Sequence, residues 1–515
     1  MTEAADLILR NAEVHTLADP DETHEAVAIR DGEIVAVDSD YEIDFLEGVE
    51  TDVIDCERGV VLPGFVDAHT HVEALGRQLV HADLSSAEGR EDALARLRAA
   101  ADPDREWILG FGYDESEWDD TAYLTRDDLD RVSDDRPVVA MRVDLHTASV
   151  NGVALERLRA SLPADDLEYE DGEPTGVVVE AATEVVREAI APDVEETHEL
   201  VAEALSHAAA RGVTCVHDKV RDSHAPRVYR ELDAAGDLDV RVRIDYWRDH
   251  LESAIDVGLA TNAGSGFVRT GAIKTFTDGS IGGRTAKLSE PYADVPETEG
   301  RNDCGQWVLA PDELASLVER ADDAGYQLSI HAIGDEAIDE TVRLLEDADD
   351  PEAMRHRIEH AELAGDEAIE RMAESGIVAS MQPNFHRWAD EGGLYDRRLG
   401  AKRRRRSNRF RTMLEAGVPL AFGSDCMPLD PLLGVHHAVN APVEEQRLSV
   451  TEALRAYTHG AAYAGFDEDR LGTVEPGKRA DLVVLEASPW EQPERIEEID
   501  VATTLIDGDV VYDGR

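Results

Sequence analysis

Eight short apolar segments, each followed by an amphipathic stretch, constrain the fold of this chain most strongly. A short apolar run bounded by turn residues is typical of a buried parallel strand, and helical periodicity after it indicates a crossover helix. Eight such units predict an α/β fold, the (β/α)8 TIM barrel, in which functional side chains sit at the carboxyl ends of the strands. The predicted strands cover residues 60–68, 212–217, 240–246, 271–276, 327–330, 357–360, 376–381 and 419–423.

The spacing of the strands supports the barrel and indicates one insertion. A barrel of about 250 residues allows about 31 residues for each strand–helix unit. His331 and His360 are separated by about one unit, whereas His69 and Cys215, which belong to consecutive strands, are several units apart. We therefore predict an insertion at about 77–185, after the first strand, and expect it to lie across the barrel mouth as a lid.

Both ends of the chain have the short alternating segments that are typical of β-strands. Asp31-Gly32 and Asp507-Gly508 are hairpin-turn dipeptides between such segments. Because chain ends of similar character often share a sheet, we expect residues 1–62 and 465–515 to form a small composite β-sandwich domain. Residues 63–464 then form the barrel with its insertion.

The charge balance is strongly acidic, with 112 acidic and 50 basic residues and a formal net charge of -62. Such a field repels nucleic acid and anionic membranes, so we expect neither as a partner. An acidic, lysine-poor composition favours a protein kept soluble in very high salt, where charges are screened within about 3 Å at 1 M. We therefore expect a halophilic archaeal source. The lysines are Lys219, Lys274, Lys287, Lys402 and Lys478.

Neither the cysteines nor the N-terminus indicates export. The four cysteines are far apart and form no CxxC pair, which predicts neither a disulfide framework nor a cysteine zinc cluster. The N-terminal residues lack a basic, apolar signal sequence, and no stretch reaches the roughly 18 continuous apolar residues of a membrane span. We therefore expect a reduced, cytoplasmic protein.

Histidine and carboxylate side chains follow several predicted strands. His69 and His71 end the apolar run VVLPGFVDAHTHV, and because side chains two apart on a strand share a face, both imidazoles project together. His331, His360 and Asp425 end the fifth, sixth and eighth strands. These are usual ligands of zinc and similar metals. A single histidine is more often a core residue, but the whole set predicts a metal site.

Lys274 ends the fourth predicted strand, in GAIKTFTDGS. An ammonium group repels a cation, and the alternative role for Lys274 is a buried salt bridge. In a chain that replaces nearly every lysine with arginine, a lysine kept at this place favours a lysine-specific role. CO2 converts a lysine amine to a carbamate that can bridge metal ions, and arginine does not readily substitute for that.

Five motifs resemble the amidohydrolase superfamily, in its amidohydrolase 3 or YtcJ-like branch: PGFVDAHTH, KTFTDGSIGGRTA, LSIHAIGDEAID, RIEHAEL and FGSDCMPLDPL. The resemblance implies that two histidines and an aspartate bind one metal ion, that two further histidines bind a second, and that a carbamylated lysine bridges them. Some relatives use a single metal ion, and His360 then polarises the substrate. The implied ligands of one or two divalent ions, zinc first among them, are His69, His71, Lys274, His331, His360 and Asp425.

The site and the resemblance together predict hydrolysis of a non-peptide C–N bond, in an amide or cyclic amide, through a metal-activated hydroxide. A metal-bound water has a pKa near 7. Asp425 takes its proton and passes it to the leaving nitrogen, while the metal or His360 stabilises the oxyanion. A deaminase or esterase with the same site remains an alternative. A non-catalytic metal-binding regulator is another, against which the complete ligand set argues.

Further residues are candidates for substrate binding, each with a structural alternative. Two lie in the predicted lid, two end the second strand, and the last, in GGRTA, is a candidate clamp for a carboxylate or carbonyl group. They are His146, Asn151, His217, Asp218 and Arg284.

The basic run 402–406 has the sequence KRRRR in a chain of opposite charge. One interpretation is a helix whose arginines pair with the acidic surface or with a second subunit of a homo-oligomer. The other is that part of the run faces the barrel mouth and attracts an anionic small-molecule substrate.

The charge also predicts a salt dependence. Because unscreened carboxylates repel one another, transfer of the protein from molar salt to dilute buffer should lower its melting temperature and its secondary-structure content. Circular dichroism during heating at both salt concentrations measures this. Full activity and an unchanged melting temperature in dilute buffer would contradict the halophilic interpretation.

Overall fold

A computed structural model of the chain describes residues 4–143, 146–295 and 303–515. Two residues of the predicted insertion, 144 and 145, lie outside the described residues. The chain divides into two compact units. One consists of Met1–His71, Leu205–Asp222 and Tyr229–Arg515, and the other of Val72–Ala204 and Ser223–Val228.

The first unit contains an eight-stranded parallel sheet in which neighbours along the chain are neighbours in space. All eight predicted strands are present, which confirms the (β/α)8 barrel. In chain order, the strands β1 to β8 are Phe65–Thr70, Val213–Val220, Arg241–Trp247, Val268–Phe276, Leu328–Ala332, Arg357–His360, Val378–Met381 and Leu420–Phe422.

The chain after β8 returns to β1 and nearly closes the barrel. The backbone N–H of Asp425 donates to the carbonyl oxygen of His69 at 2.8 Å. The N–H of Ser424 donates to the Asp67 carboxylate at 2.9 Å. A Cβ atom on Gly423 would lie 2.4 Å from the backbone nitrogen of His69, so this close approach requires glycine.

The barrel strands are almost entirely buried, which explains their continuous apolar sequences. Buried charged residues in these strands are exceptions, among them Lys219 in β2, Asp245 in β3, and Arg357 and Glu359 in β6. Burial of an unpaired charge is costly, so these residues are expected to contact one another.

Helices follow the barrel strands along the chain and bury one apolar face each, as helix Asp366–Ser375 does with Ala368, Ile369 and Met372 before it ends at the left-handed Gly376. The helices after β1 to β8 are Val72–Val80, Ala225–Ala235, Leu251–Asp256, Pro311–Asp323, Asp335–Leu345, Asp366–Ser375, Leu394–Arg404 with Phe410–Ala416, and Pro431–Val439. Short helices Pro351–Met354, Val450–Ala456 and His459–Ala464 complete this part of the chain.

Two further sheets of the first unit are built from the chain ends, which confirms the composite β-sandwich: the four-stranded sheet uses N-terminal strands, and the six-stranded sheet combines strands from both ends. Their apolar residues, such as Leu9 and Leu482, share one buried core. The four-stranded sheet has the order Glu33–Asp38, Ala26–Arg30, Leu7–Arg10, Asp52–Asp55. The six-stranded sheet has the order Asp509–Asp513, Val501–Ile506, Leu482–Leu485, Val60–Pro63, Glu13–His15, Thr23–His24.

The predicted strand 60–68 is in fact two strands in two sheets. Val60–Pro63 belongs to the β-sandwich, and Phe65–Thr70 is β1 of the barrel. Gly64 separates them, and a Cβ atom there would lie 2.2 Å from the Cγ2 of Thr214. An apolar run gives no signal of a change of sheet, so the prediction merged the two strands.

The second unit has its own six-stranded sheet and two buried clusters. The prediction that this segment acts as a lid stays a prediction. Its strands, in sheet order, are Leu167–Glu170, Glu173–Val179, Thr147–Val150, Val138–Arg142, Ile108–Tyr113 and Ala82–Asp83. Helices Arg90–Ala99, Arg126–Asp130, Gly152–Leu158, Glu180–Ala189 and Val194–Ala210 lie in the same part of the chain. Among the described residues, no helix combines the length and apolar character that crossing a membrane requires.

Substitution of Gly64 tests the junction between sandwich and barrel. Gly64→Ala places a methyl group against Thr214 on β2, so we expect a loss of about 1–3 kcal/mol of stability and a lower melting temperature. Gly266→Ala is the control, because the nearest atoms to its Cβ lie 3.9 Å away. Equal melting temperatures for the two variants, measured by differential scanning calorimetry, would show that the junction tolerates a side chain.

Candidate metal centre

His69, His71 and Asp425 bring three ligand atoms together at the carboxyl ends of β1 and β8. The Asp425 Oδ1 atom lies 3.5 Å from Nε2 of His69 and 3.3 Å from Nε2 of His71. Among the described residues these three form the group of histidine, cysteine and acidic side chains whose ligand atoms all lie within 4.8 Å of one another. His69 lies on β1 and His71 directly follows it, and the two rings lie together, 5.6 Å apart between centroids.

Asp67 supports this group without joining it. Its Oδ1 atom accepts the backbone N–H of His69 at 3.1 Å and that of Ser424 at 2.9 Å, which ties the end of β1 to the segment after β8. Burial raises the pKa of Asp67 to about 6.

The two histidines have defined partners on their second ring nitrogens. The Nδ1 atom of His69 lies 2.7 Å from Oε2 of Glu359, and Nδ1 of His71 lies 3.1 Å from the carbonyl oxygen of Lys219. Both partners are hydrogen-bond acceptors, so Nδ1 carries the proton and Nε2 is left to bind a metal. Burial lowers the pKa of His69 to about 4, which keeps the imidazole neutral, as a metal ligand must be.

His331 and His360 lie beside the first group. The ring of His360 is 5.0 Å from that of His69 and 4.5 Å from that of His331, measured between centroids. The Nδ1 atom of His360 is buried and has no hydrogen-bond partner among the residues that the structure describes, while Nε2 of His331 contacts the carbonyl oxygen of Gly279 at 3.0 Å. Burial lowers the pKa of His331 to about 3 and that of His360 well below its ordinary value.

Lys274 is fully buried, and its Nζ atom has no hydrogen-bond partner within the described part of the chain. The atom lies 4.9 Å from the centre of the Phe276 ring. Burial lowers the pKa of the Lys274 amine to about 7. The alternative role of Lys274 in a buried salt bridge therefore finds no partner among the described residues, and its amine is partly neutral near pH 7.

These side chains fit a divalent metal ion. Burial alone would raise the pKa of Asp425, but His69 and His71 outweigh it and hold that pKa well below its ordinary value. The donor set is thus two imidazole nitrogens and one carboxylate, the set that catalytic zinc sites use with a position left for solvent. Lys274 and His360 each bury a polar atom that has no partner in the described ranges, and a bound ion or its ligands would satisfy it.

Of the two candidates in the insertion, Asn151 has a structural role in place of the predicted substrate contact. It is fully buried and caps helix Gly152–Leu158. Its Oδ1 atom accepts the N–H groups of Val138 and Ala154, and its Nδ2 donates to two carbonyl oxygens. His146 is largely exposed, with its Nδ1 atom 3.6 Å from Glu180.

The two candidates at the end of the predicted second strand, His217 and Asp218, lie within β2 and contact other side chains of the protein. Nδ1 of His217 lies 2.9 Å from a guanidinium nitrogen of Arg357 and accepts its hydrogen bond. The hydroxyl of Tyr229 donates to Asp218 at 2.7 Å. His217 is thus linked to His69 through Arg357 and Glu359. This agrees with the supporting role that the sequence left open.

Arg284 pairs with a carboxylate of the chain where the sequence predicted a substrate clamp. Its Nε and Nη2 atoms contact the two oxygens of Asp294 at 3.1 and 2.8 Å. A bidentate pair of this kind uses the planar fork that a substrate carboxylate would need. Arg284 therefore contacts Asp294 in this structure, whereas the sequence predicted a contact with the substrate.

The basic run is also largely paired within the chain. Arg404 donates to Asp396 at 2.9 Å, and Arg403 donates to the carbonyl oxygen of Pro291 at 2.7 Å. These contacts favour the interpretation in which the arginines of 402–406 neutralise the chain's own acidic and carbonyl groups.

Comparison with known proteins agrees with this geometry. Residues 52–512 match the amidohydrolase family. YtcJ of Bacillus subtilis is 31% identical over 529 residues, which cover 97% of this chain and 98% of the relative. An N-substituted formamide deformylase of Arthrobacter pascens is 27% identical over 100% of this chain and 99% of the relative. The crystal structure of an uncharacterized metal-dependent hydrolase from Pyrococcus furiosus has a TM-score of 0.80 and 30% identity, covering 94% of this chain and 99% of that one.

Removal of a ligand should abolish tight metal binding. Asp425→Ala removes the carboxylate that both imidazoles face, so we expect the variant to retain less than a tenth of the zinc that the wild type holds after dialysis. Elemental analysis of the dialysed proteins measures this. Asn151→Ala is the control, a buried polar residue whose loss should cost about 1–2 kcal/mol of stability without changing the zinc content. Equal zinc in Asp425→Ala and wild type would contradict the assigned centre.

Proposed function

The chain belongs to the amidohydrolase family, and from this premise we propose that it is a metal-dependent hydrolase of a non-peptide C–N bond, in an amide or cyclic amide. The observation that supports this most strongly is the group of His69, His71 and Asp425 at the carboxyl ends of barrel strands. The relative that deformylates N-substituted formamides acts on such a bond.

We propose zinc as the metal, held by His69, His71 and Asp425. A bound zinc ion supplies a Lewis acid and lowers the pKa of water to around 7. Two neutral imidazoles and a carboxylate suit zinc better than magnesium or calcium, which prefer oxygen ligands alone. His331 and His360 are the proposed ligands of a second ion in the case that two ions bind.

Asp425 is the proposed proton carrier. Its carboxylate has one oxygen against both imidazoles, and its side chain is 17% exposed, so the group reaches solvent on one side. It takes a proton from the attacking water and delivers it to the leaving nitrogen. His360, whose buried Nδ1 atom has no hydrogen-bond partner among the described residues, is the proposed donor to the oxygen that becomes negative.

Lys274 is the proposed site of carbamylation. Only a neutral amine attacks CO2, and burial brings the pKa of Lys274 to about 7, so a substantial fraction of the amine is neutral at neutral pH. The carbamate adds a negative charge beside two neutral histidines, which favours a second cation.

The remaining proposals concern the substrate, the cellular location and the oligomeric state of the chain. We propose that the substrate is a small molecule, that the chain works in a saline cytoplasm, and that it self-associates as a homo-oligomer. The excess of acidic over basic residues supports the saline setting and argues against nucleic acid and membranes as partners.

Turnover of a panel of amides tests the proposal. Zinc-loaded protein in molar salt should release an amine or ammonia from N-substituted formamides or simple amides, or open the ring of cyclic amides to amino acids, and chelation should abolish the activity until zinc is returned. Asp425→Asn should lower kcat by at least about 100-fold, because it removes the proton carrier. Cleavage of esters alone would replace the C–N assignment, and no turnover by a zinc-filled protein would indicate a binding protein.

A further inference from the structure

Glu359 is a fully buried carboxylate that joins the metal centre to the interior of the barrel. It lies on β6, one residue before His360. Its Oε2 atom lies 2.7 Å from Nδ1 of His69. Its Oε1 atom accepts the hydroxyl of Ser329 at 2.6 Å and contacts a guanidinium nitrogen of Arg357 at 2.8 Å. The two oxygens thus divide between the histidine and the interior.

Two buried cations fix the surroundings of Glu359. The ammonium group of Lys219 lies 2.6 Å from the Asp245 carboxylate and 4.0 Å from Oε1 of Glu359. Lys219 and Arg357 both donate to the carbonyl oxygen of Ala68, at 2.9 and 2.6 Å. Ala68 immediately precedes His69, so the same cations hold the carboxylate and the backbone that carries the histidine.

We propose that Glu359 is a positioning residue of the metal centre, which holds the proton of His69 on Nδ1 and leaves Nε2 as the ligand atom. Lys219 and Arg357 keep this carboxylate in place. The proposal rests on the proposed function, since it needs a metal ion at His69.

The physical argument depends on what each group can donate or accept. An ionised carboxylate only accepts hydrogen bonds, so the Nδ1 atom that faces it must carry the proton of the neutral imidazole. The opposite tautomer would place a proton on Nε2, where the metal binds. Loss of such a partner typically costs 10- to 100-fold in metal affinity, because the ligand loses both its tautomer and its orientation.

A purely structural role makes a different prediction. Two cations and two carboxylates neutralise one another inside the barrel, and this would stabilise the fold without any contact to His69. Only the Oε2 atom separates the two roles, because it faces His69 while Oε1 faces Ser329 and Arg357. The test must therefore compare metal affinity with stability.

The experiment measures the zinc affinity of full-length Glu359→Gln by competition with a chromophoric chelator, together with the melting temperature of the metal-free protein. A glutamine keeps the shape, but one end of its amide must be a donor, which conflicts either with His69 or with Ser329 and Arg357. We expect zinc to bind about 10- to 100-fold more weakly. Nitrogen-15 spectra of histidine-labelled metal-free protein should also show a changed tautomer at His69.

Ser380→Ala is the matched control, because its hydroxyl accepts from Arg357 at 2.9 Å and belongs to the same buried network without contacting His69. Its zinc affinity should equal that of the wild type. Wild-type affinity in Glu359→Gln, or an equal loss in Ser380→Ala, would overturn the positioning role and leave the proposed function standing. A wild type that binds no zinc would overturn both.

A second variant covers the case in which Glu359→Gln does not fold. Ser329→Ala removes the hydroxyl that anchors Oε1 and leaves the contact of Oε2 with His69 in place. A several-fold loss of zinc affinity is expected, because the carboxylate is less firmly oriented. Unchanged affinity in this variant would overturn the proposal.

Discussion

The hydrogen bond from the backbone N–H of Asp425 to the carbonyl oxygen of His69 is the constraint on which the rest of the site depends. It joins the segment after β8 to the end of β1 and so closes the barrel at its carboxyl end. The same bond sets the Asp425 carboxylate opposite the imidazoles of His69 and His71. The hydrogen bond that closes the barrel therefore also brings the three ligand residues together.

The backbone at these strand ends is unusual where the ligands lie. Asp425 has a φ of 55° and His360 a φ of 73°, in the left-handed region that side chains other than glycine rarely adopt. Such conformations cost of the order of 1–3 kcal/mol each and persist only where the surroundings hold them. At Asp425 the holding contact is the bond to His69. Strain at two residues with candidate roles in the site agrees with a functional constraint on the turns that follow β6 and β8.

The sequence predicts the barrel and its ligand residues because both depend on local rules. Strand ends of a (β/α)8 barrel meet at one edge, so His69, His71 and Asp425 could be grouped without coordinates. Glu359 could not, since nothing in RIEHAEL tells which face of β6 it occupies or that His69 lies across from it. Asn151, in the predicted lid, and Arg284, in GGRTA, are substrate-binding candidates from the sequence. Their actual partners come from parts of the chain that only the tertiary structure brings near. The sequence carries one signal for Glu359. Arg357 and Glu359 are charged residues two positions apart in an otherwise buried strand.

The small number of lysines in the chain is informative because most of the five occupy interior positions. Lys402 alone is well exposed, and the other four are buried or half-buried. A lysine ammonium is compact, so it fits a buried strand and reaches a carboxylate and a carbonyl oxygen together, as Lys219 does with Asp245 and Ala68. The wider guanidinium needs more space and more acceptors. Retention of lysine therefore marks interior positions where a small cation or an amine is needed, and this reasoning applies to Lys219 as strongly as to Lys274.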